Sequence, residues 1–281
     1  KNLNQIQLSC LTVAVRFLPN LNSTRRTILL STWGLFTGLA LLLVTAGVYS
    51  TLVGIRAELK QLPTLVSGGI TTAYYAGFLL GSWYTLRALK QVGHIRVYAA
   101  LASLLSASVL ITGVYNSPLI WIIMRSSTGF CFAGLYVVAE SWLNGLASNT
   151  FRGRLLAMYN VVTIGAYGAG QLLVFNFDAR TLTGFAFAAV VSSLAVIPVV
   201  MSEQAATPNV DNHTHITMRE LARIVPTGAG TILLVGLAHG GMLGMAVIYA
   251  TREGLSVGRV GILIAAINLG GMALTWPISS A

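Results

Sequence analysis

Long apolar runs alternate with short polar intervals along this chain, and the length of the runs sets the first expectation. Apolar stretches at about 27–53, 64–86, 97–114, 119–143, 155–175, 182–201 and 225–250 each come close to or exceed the roughly 20 residues a helix needs to cross a bilayer core. An eighth begins near Val260. Helices are expected throughout, because in lipid every backbone polar group must be satisfied within its own segment. The intervals carry turn-forming residues, such as Pro63, Asn116-Ser117-Pro118 and the stretch from Asn176 to Arg180. One interval is longer than the others: 202–223, with Pro208, Asp211, Asn212 and His213. The expected organisation is therefore an interfacial or cytoplasmic lead-in at 1–26, a six-helix bundle at 27–201, a cytoplasmic linker at 202–224, and the start of a second bundle at 225–281.

Composition narrows the class. Hydrophobic residues make up 55% of the 281 and charged residues 9%, with a mean hydropathy of +0.77, against about 25% charged in soluble domains. An all-α integral membrane protein follows. A net charge of +10 would suggest nucleic acid in a soluble chain, but here the cations lie between apolar runs without clustered base-reading groups, which argues against nucleic-acid binding. Their distribution orients the chain: with the N-terminus inside, about 11 positives fall on inner segments and about 5 on outer ones. This predicts a multi-pass protein of the cell (inner or plasma) membrane with a cytoplasmic N-terminus. Trp33, Trp83, Trp121, Trp142 and Trp276 all fall near run ends, as an interfacial aromatic belt would place them.

Cys10 and Cys131 are far apart and show no metal or disulfide spacing; Cys131 reads as a small packing residue. The chain begins with Lys1, ends at Ala281 inside an apolar run, and has no signal-peptide pattern, so both ends are expected to be cut from a longer protein. Neither a phosphate-binding Lys-Ser/Thr loop nor a metal-ligand cluster appears, so no cofactor, catalytic centre or ATP-driven pumping is expected.

Charge inside lipid is expensive and by default functional, which singles out Arg125 and Glu140. They share one helix, fifteen residues apart, or roughly 22 Å at 1.5 Å per residue, and so cannot pair. Glu140 lies near the inner end, within reach of Arg96, Arg152 or Arg154. It reads either as half of an inner gate or as a dehydrated proton-coupling carboxylate. Arg125 sits a turn and a half to two turns inside the outer surface, and either snorkels outward or meets an anionic group in a central cavity. Tyr159, Thr163, Tyr167 and Gln171, spaced by four, form one polar stripe on a helix face, serving as inter-helix glue or as cavity wall. His239, beside Gly240-Gly241, is a proton-carrier candidate or a histidine bonded to its neighbour. Tyr74 and Tyr75 divide between packing and cavity.

Six runs, a linker and two further runs suggest two six-helix halves. A weak internal match supports them: Tyr75-Ala-Gly77-Phe-Leu-Leu-Gly81-Ser against Leu269-Gly-Gly271-Met-Ala-Leu-Thr275-Trp. The stretch from Leu86 to Arg96 keeps Gly93 and Arg96 of a Gly-x-x-x-Asp-Arg-x-Gly-x-x-Arg loop, with Lys90 where the Asp would stand. With Arg125-x-x-x-Gly129 and Gly134, this resembles the major facilitator superfamily. VVAES at 137–141, Arg152-Gly153-Arg154-Leu-Leu-Ala, Gly170-Gln171-Leu-Leu-Val and Trp276-Pro277-Ile278 resemble its YcaD-type branch. The resemblance covers most of 27–281. It implies a major-facilitator-like helical bundle of twelve spans, present here as the first six-helix half and the start of the second, working as a secondary transporter by alternating access. It names no particular substrate, but it favours a gating role for Gly93 and Arg96 and a cavity-facing Arg125; the expected partners are a small-molecule substrate, protons as a candidate coupling ion and the lipid bilayer, with the chain a monomer. Efflux of amphipathic or cationic compounds, and a non-transporting sensor on the same fold, stand as alternatives.

Overall fold

The apolar runs are helices in the computed structural model, which describes residues 21–146, 152–202, 220, 223–256, 258–267 and 270. In chain order they are α1 (Leu21–Leu59), α2 (Thr64–Val92), α3 (His94–Val114), α4 (Pro118–Leu146), α5 (Arg152–Leu173), α6 (Thr183–Leu194), α7 (Val196–Met201), α8 (Pro226–Arg252) and α9 (Gly258–Ile267). No strand occurs among the described residues. The pair α6–α7 is one span, Thr183–Met201, broken at Ala195. Pro198 has no N–H to give the Leu194 carbonyl one turn back, and its ring crowds that carbonyl.

Five of the described spans are long and apolar enough to cross a membrane: Trp33–Leu59, His94–Val114, Pro118–Gly145, Thr183–Met201 and Pro226–Arg252. At 29 and 22 residues, α2 and α5 are also long enough but fall outside that apolar set. Their extra polarity has a structural reason, since these two helices face each other across a cavity.

Turn chemistry sets the helix ends. Gly93 alone separates α2 from α3, with φ of 84° and its N–H on the Leu89 carbonyl at 3.1 Å; that left-handed conformation strains any side chain with a Cβ. At the opposite end of the bundle α1 closes with Gln61 at φ 52° and the Leu62 N–H on the Ala57 carbonyl at 3.2 Å, the bonding of a Schellman-type cap.

Packing follows a curled path: α2 lies along α4, α4 on α3, α3 on α6, α6 and α7 on α1, and α1 on α5. The α2–α4 contact is closest because glycines replace side chains there. Gly77 and Gly81 meet the carbonyls of Ser126 and Phe130, while Gly129 meets that of Tyr74. Tyr49, Leu52, Tyr98, Leu105 and Phe185 are among the fully buried side chains. The Tyr49 ring is edge-on to Phe185, and its Oη lies 3.1 Å from Thr112 Oγ1.

Two expectations are corrected. Trp121 and Trp142 are core residues at 1% exposure. Trp121 Nε1 donates to the Tyr115 carbonyl at 2.7 Å, and Trp142 packs edge-on to His94 at 5.8 Å; helix packing overrides a belt position. Trp33 and Trp83 are exposed, as a belt requires. The first helix runs past the expected end of its apolar stretch at about 53: α1 continues to Leu59 and buries Arg56 at 5% exposure. Arg56 donates to the carbonyls of Gly113 (2.9 Å) and Arg180 (3.2 Å) and lies 4.9 Å from the Phe185 ring centroid. Cys10, most of the lead-in and linker, and Trp276 to Ile278 lie outside the described residues, as do the side chains of Arg152, Arg154 and His239.

The last two helices meet the bundle toward the end that carries Glu58. On α8, Val247, Ile248 and Ala250 are buried, whereas Ile232, Leu233, Leu234, Val235 and Leu237 are exposed. On α9, Gly261 meets the Gln171 carbonyl and Gly258 meets the Phe175 ring.

Candidate functional site

Curling the six-helix layer leaves a gap between the α2–α4 side and the α1–α5 side. A cavity of about 420 Å³ fills it, lined by Ala46, Tyr49 and Ser50 of α1, Thr71, Tyr74, Tyr75 and Phe78 of α2, Arg125, Phe132 and Tyr136 of α4, and Thr163, Ile164 and Tyr167 of α5. Arg125 stands seven residues inside α4, about 10 Å from its end. Its guanidinium carbon lies 5.2 Å from the Tyr49 ring centroid and 4.9 Å from that of Tyr74, close enough for cation–π attraction. Gly129 helps make this contact: one turn along from Arg125, it admits the Tyr74 backbone against α4. Nε of Arg125 is buried with no hydrogen-bond acceptor among the described residues.

The polar stripe on α5 keeps to one face and passes through three settings. Tyr159 Oη donates to Glu140 Oε1 at 3.0 Å. Thr163 lines the cavity, and its hydroxyl bonds back to the Tyr159 carbonyl at 2.7 Å. Tyr167, also lining the cavity, shares a 3.0 Å hydrogen bond with Ser50 Oγ. Gln171 is buried in a narrow cleft of about 40 Å³ where α1, α2 and α5 meet Val247 and Ile248 of α8 and Ile264 of α9; Arg125 borders this cleft too.

Glu140 lies on the opposite side of Phe78 and Tyr136, in a second cavity of about 350 Å³ that also holds Ser82, Ala133, Val137 and Tyr159. Phe78 and Tyr136 line both cavities, so the two adjoin, with Arg125 in one and Glu140 in the other. Arg96 is exposed at the start of α3, and Glu140 has no ion pair among the described residues. Tyr75 lines the central cavity, and a side chain at Gly240 of α8 would press against its ring. The backbone of His239 is thereby set beside the cavity wall.

Several lining residues escape a reading of the sequence. Tyr49, Ser50 and Tyr136 were hidden inside apolar runs, although Tyr136, one turn from Glu140, carried a usable signal. The contact between Glu58 and Arg252, 3.1 Å from Nε to Oε1 and 3.2 Å from Nη2 to Oε2, joins residues 194 positions apart that no local pattern connects.

Fold and cavity together define a multi-pass, all-α membrane protein with a largely aromatic chamber between its helices. The comparisons give the class a particular form. The chain is similar to the Uncharacterized MFS-type transporter YcaD of Escherichia fergusonii, 26% identical over 248 residues. It is also similar to the proteins of the same name from Escherichia coli O45:K1, 27% identical over 250 residues, and O6:K15:H31, 26% over 246. Each match covers 87% of this chain and 64% of the relative, so the chain spans just under two thirds of the proteins it matches. The resemblance to YcaD-type transporters of the major facilitator superfamily thus extends along most of the sequence. No family model matches.

Proposed function

We propose that this chain forms the first six-helix half and the opening spans of the second half of a secondary transporter, which moves a small solute across the membrane by alternating access. The observation that carries this reading is the cavity between α1, α2, α4 and α5, with Arg125 in its wall and α8 and α9 packed near the Glu58 end. With the N-terminus cytoplasmic, the Glu58 end is the outer one. The described arrangement is then closed outside, and Gly93, Arg96, Glu140, Arg152 and Arg154 gather near the inner mouth as gate residues. Protons are the coupling ion of this reading, with Glu140 and His239 as their carriers.

Reconstituting the intact protein in liposomes under an imposed pH gradient tests the proposal. Saturable solute flux accompanied by proton movement is expected, and it should be lost when Thr163→Trp fills the cavity. Absence of both flux and binding across a broad solute panel would overturn it. One observation favours a second reading, efflux of cationic amphiphiles: Glu140 is exposed within its own cavity and bonded to Tyr159 rather than paired with a described cation. That reading predicts that Glu140→Gln abolishes transport of a lipophilic cation such as tetraphenylphosphonium.

A further inference from the structure

The acidic residues are distributed very unevenly around the central cavity. Helices α2, α5 and α8 contain no Asp or Glu, and α1 and α4 contain one each. Both of these are engaged elsewhere. Glu58 is held by Arg252 at the outer end of α1, and Glu140, fifteen residues along α4 from Arg125, accepts from Tyr159. Arg125 is therefore a cation in a chamber whose described lining is otherwise neutral: five tyrosines, two phenylalanines, and three hydroxyl-bearing Ser and Thr residues, with one alanine and one isoleucine. Its described partners are two aromatic faces, and its buried Nε lacks an acceptor. A half-buried cation with no carboxylate partner among the described residues attracts a counter-ion.

From this we infer that the cavity takes an organic monocarboxylate with an apolar or aromatic body, bound by its carboxylate on Arg125. The inference rests on the transporter reading for the cavity's purpose, but its binding chemistry stands apart from transport. One guanidinium matches one carboxylate in charge and in planar fork geometry, whereas a dianion would leave a second charge with no cation in the described lining to meet it. Tyrosine and phenylalanine rings supply flat apolar contact for the body, and Tyr167, Ser50 and Thr71 offer hydroxyls to its polar atoms. A cavity of about 420 Å³ lies at the small-ligand end of the usual range. Organic cations are disfavoured, because the ring faces of Tyr49 and Tyr74 are already occupied by Arg125.

Calorimetric titration of the intact purified protein tests this. The probes are benzoate, phenylacetate, indole-3-acetate and octanoate, set against phenylacetamide, phenethylammonium, chloride and inorganic phosphate. At least one of the aromatic or alkyl acids should bind, phenylacetate should bind more tightly than its neutral amide by about tenfold or more, and Arg125→Gln should remove that preference. Arg125→Lys should retain part of it. If Arg125→Gln fails to fold, the acid–amide comparison on the unaltered protein still decides. Equal binding of acid and amide, binding of chloride or phosphate alone, or binding of the cation alone would overturn the inference. Liposome flux separates the two proposals: carboxylate binding without flux upholds the site and sinks transport. Flux of neutral or cationic solutes that is indifferent to Arg125→Gln upholds transport and sinks the site.

Discussion

Arg56 stands at the end of an apolar helix, where a cation would ordinarily reach for water. Instead its two terminal nitrogens take the last carbonyl turn of α3, at Gly113, and the carbonyl of Arg180, and its charge lies against the negative end of the α3 dipole. A buried cation satisfied only by carbonyls works as a fastener, so its loss leaves acceptors stranded. Arg56→Gln should cost about 1–3 kcal/mol, seen as a lower unfolding temperature in detergent. Arg56→Lys should recover only part, since an ammonium cannot fork to two carbonyls as guanidinium does. Unchanged unfolding in both variants would remove the fastening role. At this scale the sequence was readable where a polar side chain interrupts an apolar run, as at Arg125, Thr163 and Tyr167. At Arg56 it was not, because burial there depends on a carbonyl 124 positions away that no local pattern reveals.

Helices were the most legible elements, since runs of apolar residues long enough to span a bilayer have few other solutions. Their neighbours were much less so. Joined by a short connection, α4 and α5 invite reading as a packed hairpin, yet α4 lies along α2 and α5 along α1, and the cavity opens between them. Glycine placement decides this, because it fixes which backbones can touch. Adding a methyl at Gly77 would drive it into the Ser126 carbonyl, whereas Gly165, mid-way along α5, faces open space. Gly77→Ala should therefore destabilise the bundle by about 1–3 kcal/mol through overpacking. Gly165→Ala should be neutral, or stabilising by up to about 1 kcal/mol from helix propensity. Thermal unfolding of the two variants side by side provides the check, and equal effects would refute close α2–α4 packing as the cause. The break at Ala195 was written in the sequence as Pro198, but its position one turn upstream follows only from the bond that proline cannot make.

At the scale of the whole molecule, the two ends of the chamber differ. Toward the Glu58 end, Gly54 admits Val247, α9 seats against Gln171, and Glu58 grips Arg252 with two hydrogen bonds. Toward the opposite end the described face of α8 is exposed from Ile232 to Leu237. An ion pair half open to solvent adds little to folding stability. On the alternating-access proposal its effect falls on the balance between arrangements, because it ties α1 to α8. Breaking it should therefore shift which end of the chamber is open while leaving the unfolding temperature nearly unchanged. In a background lacking Cys10 and Cys131, Thr71→Cys places a thiol on the cavity wall. Glu58→Gln or Arg252→Gln should raise its labelling by a membrane-impermeant reagent applied from the Glu58 side severalfold. The charge exchange Glu58→Arg with Arg252→Glu should restore the original rate, and high salt should mimic the single variants in part by screening the exposed pair. Labelling that is the same in all four proteins would mean the chamber is closed there by apolar contacts alone, with the ion pair a bystander.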